Sequence, residues 1–141
     1  MTDTDTGSLR LHHTGVVVAD LADAEAKYRA LGFTDGERMS VPAQAIEAIV
    51  YPTGEGRYLE LISPTDAEGP IAKFMARRGE GMHHVAYQVD DIAAELDRLR
   101  AVGVRLIDEA PRPGAHEGWL IAFIHPESTN GVLVELVQVE H

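Results

Sequence analysis

Two histidines and two glutamates occupy matching places in the two halves of this 141-residue chain. Each histidine is the second of a His-His pair that opens a 22-residue segment, and the two segments are identical at 8 of 22 positions at an offset of 71 residues. This alignment pairs His13 with His84, and a shorter one near the end of each half pairs Glu60 with Glu135 at an offset of 75. Such similarity predicts that each half is one copy of the same structural unit. Imidazole nitrogens and carboxylate oxygens are typical ligands of divalent metal ions.

The elements that must position these four residues follow the same order in each half. Valine-rich alternating segments predict strands, and the helical spacing that begins after Asp20 and closes at Gly32 predicts a helix. A short segment that starts at Pro70 predicts a helix between the two halves. The sequence therefore predicts an α+β protein of two tandem βαβββ modules with mostly antiparallel sheets. The predicted strands are 13–18, 35–41, 45–51, 57–63, 84–89, 104–108, 119–125 and 132–138, and the predicted helices are 21–31, 70–78 and 91–102.

Strand alternation predicts that all four residues lie on faces that point away from the helices. Successive side chains of a strand point to opposite faces, so the apolar neighbours of Glu60 and Glu135 pack on the helices while the glutamates face the other way. His13 and His84 lie on that second face for the same reason. A buried carboxylate is costly unless it is paired or binds a cation. One divalent ion, Zn, Co, Ni, Mn or Fe(II), would meet this need and keep positions open for a substrate; a polar pocket without metal is the alternative.

A fifth polar residue, Glu47, is predicted to join this face. If the turn at 53–56 closes a loop of two or four residues, Ile49 lies opposite Glu60, and Glu47 lies one diagonal step away on the same face. A loop of three residues would place Glu47 on the opposite face.

Composition limits the classes of partner. The 23 acidic residues against 12 basic ones give a formal net charge of -11, which argues against nucleic acid as a partner. Cysteine is absent, which excludes disulfides and thiolate metal sites. No apolar run approaches the length that spans a membrane, and the first residues do not resemble a secretion signal, so a cytoplasmic protein is expected. We expect residues 1–10 to be flexible and 11–141 to form one domain, with module one at 11–63, a connecting helix within 64–82 and module two at 83–141.

The chain resembles the vicinal-oxygen-chelate superfamily, which includes glyoxalases, bleomycin-resistance proteins and dioxygenases, and within it most resembles the methylmalonyl-CoA epimerase family. The resemblance covers about residues 11–138. It is carried by the segments LHHTG at 11–15, GEGMHHVAYQVDD at 79–91, VRLIDEAPRPG at 104–114, FIHP at 123–126 and GVLVEL at 131–136. It implies a glyoxalase-like, pseudo-symmetric half-barrel of two βαβββ modules around one metal site.

The resemblance also implies an activity and the residues that carry it. It implies a cytoplasmic, homodimeric, metal-dependent epimerase that interconverts (2R)- and (2S)-methylmalonyl-CoA, or a close acyl-CoA, by 1,1-proton transfer through a metal-stabilised enolate. The metal ligands would be His13, Glu60, His84 and Glu135, and the catalytic acid/base pair would be Glu135 and Glu47. The chain departs from the family at the second base, because the family glutamate falls at Ala48 and not at Glu47.

Three other functions stay open at this stage. A lactoylglutathione-lyase-like isomerase would use the same four ligands on another substrate. An Fe(II) dioxygenase would use two histidines and one carboxylate. A non-enzymatic metabolite- or drug-binding protein would lack the complete ligand set.

Overall fold

Residues 9–140 form two compact units in the structure, a computed structural model that describes this part of the chain. One unit is His13–His83, and the other combines residues 9–12 with residues 84–140. Residues 1–8 of the predicted flexible N-terminal segment lie outside the described residues, and the sequence-based module limits stay a prediction. Within residues 9–140, no helix has the length and apolar character needed to cross a membrane.

The unit of residues His13–His83 is built on a four-stranded sheet with the order β2-β3-β4-β1. Strand β1 pairs in parallel with β4, and the other two pairs are antiparallel. Helix α1 packs on one face through an apolar cluster that includes Leu21, Ile49 and Leu61. The elements are β1 (Arg10–Val17), α1 (Leu21–Leu31), β2 (Glu37–Val41), β3 (Ile46–Gly54), β4 (Arg57–Pro64) and α2 (Pro70–Arg78).

The second unit repeats this plan with the strand order β5-β8-β7-β6. Strand β5 pairs in parallel with β8, and the remaining pairs are antiparallel. Ile92 and Leu96 of helix α3 pack on the sheet against Leu136 of β8. The elements are β5 (Gly81–Gln88), α3 (Ile92–Ala101), β6 (Arg112–Pro113), β7 (Trp119–Ile124) and β8 (Val134–Val139).

One predicted strand, 104–108, is wrong. In its place, Leu106 forms an isolated bridge to Ile124, and the carboxylate of Asp108 accepts the backbone N–H of Phe123 at 2.8 Å. A side chain thus replaces a backbone acceptor, and the sheet edge is formed instead by the two-residue strand β6, whose proline has no N–H to donate. The other predicted strands and all three helices are confirmed, including the weakly patterned strand that becomes β2.

The helices that follow β1 and β5 begin with the same cap. Asp20 and Asp91 accept hydrogen bonds from the backbone N–H groups of Asp23 and Ala94, each at 3.0 Å. A side-chain acceptor at this place satisfies a backbone donor that has no partner inside the helix. The duplicated sequence therefore sets the start of both helices.

Removing the second cap should destabilise its unit by a moderate amount. We expect Asp91→Ala to lower the free energy of unfolding by about 1 kcal/mol, because the Ala94 N–H loses its acceptor. Urea unfolding followed by circular dichroism measures this change. Asp91→Asn, which keeps an acceptor, serves as the control. Its free energy of unfolding should stay within a few tenths of a kcal/mol of the wild-type value. An equal loss in both variants would contradict the role of the cap.

Candidate metal centre

The first histidine–glutamate pair lies within the unit His13–His83. His13 is on β1 and Glu60 on β4, and the parallel register places Glu60 beside Gly15, two residues beyond His13. Both side chains therefore project from the same face of the sheet. The His13 Nε2 atom lies 3.7 Å from the Glu60 Oε1 atom, and the two side chains are 2% and 6% exposed. A buried imidazole thus lies against a buried carboxylate.

The second pair, in the other unit, has the same construction. His84 is on β5 and Glu135 on β8, and the register places Glu135 beside Ala86, again two residues beyond the histidine. The His84 Nε2 atom lies 3.0 Å from the Glu135 Oε1 atom, with side chains 3% and 5% exposed. The repeat found in the sequence is therefore also a repeat of strand register. Each module produces one buried histidine–glutamate pair at the same place in its sheet.

An aromatic residue that the sequence analysis missed shields the second pair. Phe123 on β7 lies opposite Glu135 in the antiparallel register, and its ring meets the ring of His84 edge-on, with centroids 5.8 Å apart. Such a contact fixes the plane of the imidazole and limits the access of water to it. The available signal was alternation along β7, which places Phe123 on the face opposite to Ala122 and Ile124, both of which pack with α3.

Glu47 does not lie where the sequence predicted it. The β3–β4 register places Glu47 opposite Ser63 and Val50 opposite Glu60, so Glu47 shares its face with Ile49 and not with Glu60. That face packs on α1. The cause is a register shift between Pro52 and Gly54, since one extra residue in a strand moves every preceding side chain to the other face.

The surroundings of Glu47 are those of a surface residue. Its side chain is 44% exposed and lies 3.8 Å from the guanidinium of Arg38, which also contacts Glu25 of α1. The prediction that Glu47 lies on the same face as Glu60 is therefore wrong. Ala48 occupies the position of the family's second glutamate. It lies on the same face of the sheet as Glu60, but its side chain has no acid/base group.

Replacing Glu47 should consequently have little effect. We expect Glu47→Gln to change kcat/KM by no more than about twofold, because it breaks only an exposed ion pair. Steady-state kinetics with the acyl-CoA substrate proposed below measures this. A decrease in kcat/KM of more than about tenfold would show that Glu47 takes part in the reaction.

The buried phenol of Tyr51 is not one of the reacting groups. Tyr51 packs in the apolar cluster against α1, and no described residue hydrogen-bonds to its hydroxyl. Burial, with a smaller contribution from Glu25, raises the pKa of Tyr51 above its ordinary value of 10.0. The group therefore stays protonated at neutral pH and belongs to the core.

Each buried histidine–glutamate pair offers donor atoms of the kinds that bind divalent metal ions. His13, His84 and Glu135 are buried and are of the types that hold metal ions, and Glu60 is equally buried. A bound cation would offset the desolvation cost of each buried carboxylate. A donor set of nitrogen and oxygen without sulfur suits Zn, Co, Ni, Mn or Fe(II) and does not distinguish among them.

Comparisons with known proteins agree with this architecture. Residues 12–123 match the Glyoxalase/Bleomycin resistance protein/Dioxygenase superfamily. The chain is 38% identical over 133 residues to the ethylmalonyl-CoA/methylmalonyl-CoA epimerase of Cereibacter sphaeroides, covering 92% of this chain and 98% of that one. A solved methylmalonyl-CoA epimerase in complex with methylmalonyl-CoA and NH4+ is 33% identical, covers 94% of this chain and 96% of that one, and superposes with a TM-score of 0.86. The epimerase of Mycobacterium tuberculosis is 35% identical, with a TM-score of 0.89 over 100% of this chain and 94% of that one.

These matches confirm the glyoxalase-like fold predicted from the sequence and the resemblance to methylmalonyl-CoA epimerases, which are isomerases. Because the superfamily match spans well over half of the chain, and relatives above 30% identity are covered almost completely, the family is established. The chain belongs to the glyoxalase/bleomycin resistance protein/dioxygenase superfamily.

Proposed function

We propose that this protein is a metal-dependent epimerase that interconverts (2R)- and (2S)-methylmalonyl-CoA, or a close acyl-CoA, by 1,1-proton transfer. The observation that carries the proposal is the duplicated, buried histidine–glutamate pair, formed at the same strand register in both modules. The relatives named as epimerases support the substrate class, and one of them is described with methylmalonyl-CoA bound.

The proposed metal ligands are His13, Glu60, His84 and Glu135. This set unites the two pairs on one ion, as the repeat leads us to expect of two copies of one module. A bound divalent ion would act as a Lewis acid toward the thioester and carboxylate oxygens and stabilise the negative charge that develops on the enolate. The four side chains would hold the ion, and the ion would supply this charge stabilisation to the bound substrate.

Inversion at the α-carbon needs one acid/base group on each face of the planar enolate. Glu135 is our candidate for one face: its carboxylate takes the α-proton from one enantiomer and returns a proton to form it. The opposite face needs a second carboxylate, and Glu47 does not lie on the site-facing side of its strand. Glu60 is the repeat counterpart of Glu135 and is buried on that side, so we assign the second acid/base role to it.

The proposal is tested by proton exchange. We expect (2S)-methylmalonyl-CoA in D2O, with enzyme and added Co2+, to lose its α-proton signal in the NMR spectrum and to yield both enantiomers. Enzyme treated with a chelator is the control and should show only the background rate. Absence of exchange with methylmalonyl-CoA, ethylmalonyl-CoA and malonyl-CoA would overturn the epimerase proposal in favour of another superfamily activity or of a binding protein.

We also propose that the enzyme works as a cytoplasmic homodimer on a small-molecule substrate, without a nucleic-acid or membrane partner. The acidic composition supports the first exclusion. Light scattering on the purified protein measures the oligomeric state, and a monomer across the working concentration range would contradict the dimer.

A further inference from the structure

The positive charges of this acidic protein are distributed unevenly between paired and unpaired positions. Eight of its 12 lysine and arginine residues lie within 4.0 Å of an acidic side chain among the described residues. The four that make no ion pair with a described residue are Arg57, Lys73, Arg77 and Arg78. Three of these four lie on α2, a helix of nine residues without a single acidic side chain. Cations without a local acidic partner are available to an external anion.

Three acidic residues flank this helix in the sequence, Asp66, Glu68 and Glu80, and two of their carboxylates are already engaged. The Glu80 carboxylate, just beyond the helix, accepts the backbone N–H of Ala19 at 2.8 Å. The Asp66 carboxylate, before the helix, accepts the backbone N–H of Glu68 at 2.8 Å. None of the three, Glu68 included, forms an ion pair with an α2 cation. The exposed side of α2 therefore remains a concentrated positive surface in a chain whose formal net charge is -11.

Helix α2 is anchored beside the first histidine–glutamate pair. Its apolar residues, among them Ile71 and Phe74, pack with Val17 and Ile62. Ile62 lies two residues beyond Glu60 on β4, so it projects from the same face of the sheet as the carboxylate. The guanidinium of Arg78 lies over the Phe74 ring, 6.0 Å from its centroid, which holds the cation at the end of the helix next to the packed residues.

We propose that Lys73, Arg77 and Arg78 of α2 bind the phosphate groups of the CoA part of the substrate. This inference rests on the proposed epimerase function, and it names the part of the protein that holds the remote end of the acyl-CoA. A CoA thioester carries a diphosphate and a 3′-phosphate, and these anions must approach a protein of strongly negative net charge. Guanidinium groups bind phosphate through paired hydrogen bonds, and lysine adds a compact positive charge. Binding energy at this remote end would hold the acyl group at the reacting residues.

The test compares two thioesters in a matched pair of triple variants. The substrates are methylmalonyl-CoA and methylmalonyl-pantetheine, which lacks every phosphate. The test variant is K73Q/R77Q/R78Q. The control variant, K27Q/R29Q/R98Q, removes three exposed, ion-paired cations from α1 and α3 and gives the same formal net charge of -14, which is -11 minus three.

We expect the α2 variant to raise KM for methylmalonyl-CoA about tenfold and to leave kcat for this substrate unchanged. Both kinetic constants for the pantetheine thioester should stay at their wild-type values. The control variant should match the wild type with both substrates. An unchanged KM for methylmalonyl-CoA in the α2 variant would overturn the proposal. An equal rise in KM for both thioesters would also overturn it, because it would show that α2 supports the fold and does not bind phosphate.

A binding measurement separates this proposal from the epimerase proposal. Calorimetric titration with CoA alone needs no turnover, and we expect the wild type and the control variant to bind CoA about tenfold more tightly than the α2 variant. If neither thioester is turned over but this difference is found, the epimerase proposal fails and the phosphate site stands. If the wild type and the α2 variant bind CoA equally, or neither binds it, the phosphate site fails.

Discussion

His13→Ala and His84→Ala should each lower kcat/KM for methylmalonyl-CoA by about a thousandfold and remove bound metal. Each variant deletes one of the proposed nitrogen ligands and leaves a buried glutamate without its imidazole neighbour. In the proposed mechanism, Lewis-acid stabilisation of the enolate would contribute several kcal/mol to the transition state, and each 1.4 kcal/mol corresponds to about tenfold in rate. Elemental analysis after loading with Co2+ measures the metal content, and the exchange assay measures the activity.

A third histidine gives the matched control. His125 lies outside both pairs, and its Nδ1 atom accepts the backbone N–H of Glu127 at 3.0 Å. We expect His125→Asn, which keeps an acceptor, to retain one metal ion per site and wild-type activity. The metal proposal would be contradicted if His84→Ala kept a full complement of metal, or if wild-type enzyme bound none while remaining active.

Much of this site could be predicted because the chain is duplicated. A single histidine on a strand carries little information, but the internal repeat by itself aligns His13 with His84 and Glu60 with Glu135. Alternation along each strand then assigns all four to the face away from α1 and α3, and the identical parallel registers confirm the duplication. Duplication works as a signal because it applies the same physical constraints to two independent sequences.

The errors arose where one local interaction outweighs the periodic pattern. The sequence does not indicate whether a hairpin contains a bulge, and the shift between Pro52 and Gly54 was enough to move Glu47 to the other face. In the segment 104–108, the predicted strand is reduced to the bridge between Leu106 and Ile124, and the Asp108 side chain accepts the backbone N–H of Phe123. Both cases concern the local pairing of backbone groups, which hydrophobic periodicity does not encode.

Glu60→Gln and Glu135→Gln should each lower the rate of epimerisation by about a thousandfold. Each variant should still exchange the α-proton of one of the two enantiomers with solvent. A glutamine keeps the size of the side chain and an oxygen that can bind a metal, but it cannot take up a proton. If the two carboxylates serve opposite faces of the enolate, each variant still contains the base for one enantiomer. We therefore expect each variant to exchange the α-proton of one enantiomer for deuterium, and the two variants to act on opposite enantiomers.

The stereochemistry of this exchange distinguishes acid/base chemistry from simple metal binding. Stereochemically pure (2R)- and (2S)-methylmalonyl-CoA are incubated separately with each variant in D2O, and the α-proton is followed by NMR. A variant that only weakened metal binding would slow exchange for both enantiomers equally, and excess metal would restore it. Were both variants to retain exchange with the same enantiomer, Glu60 and Glu135 could not serve opposite faces. A Glu60→Gln variant that epimerises normally would show that Glu60 is a ligand alone, and that the second proton donor is a residue outside the two histidine–glutamate pairs.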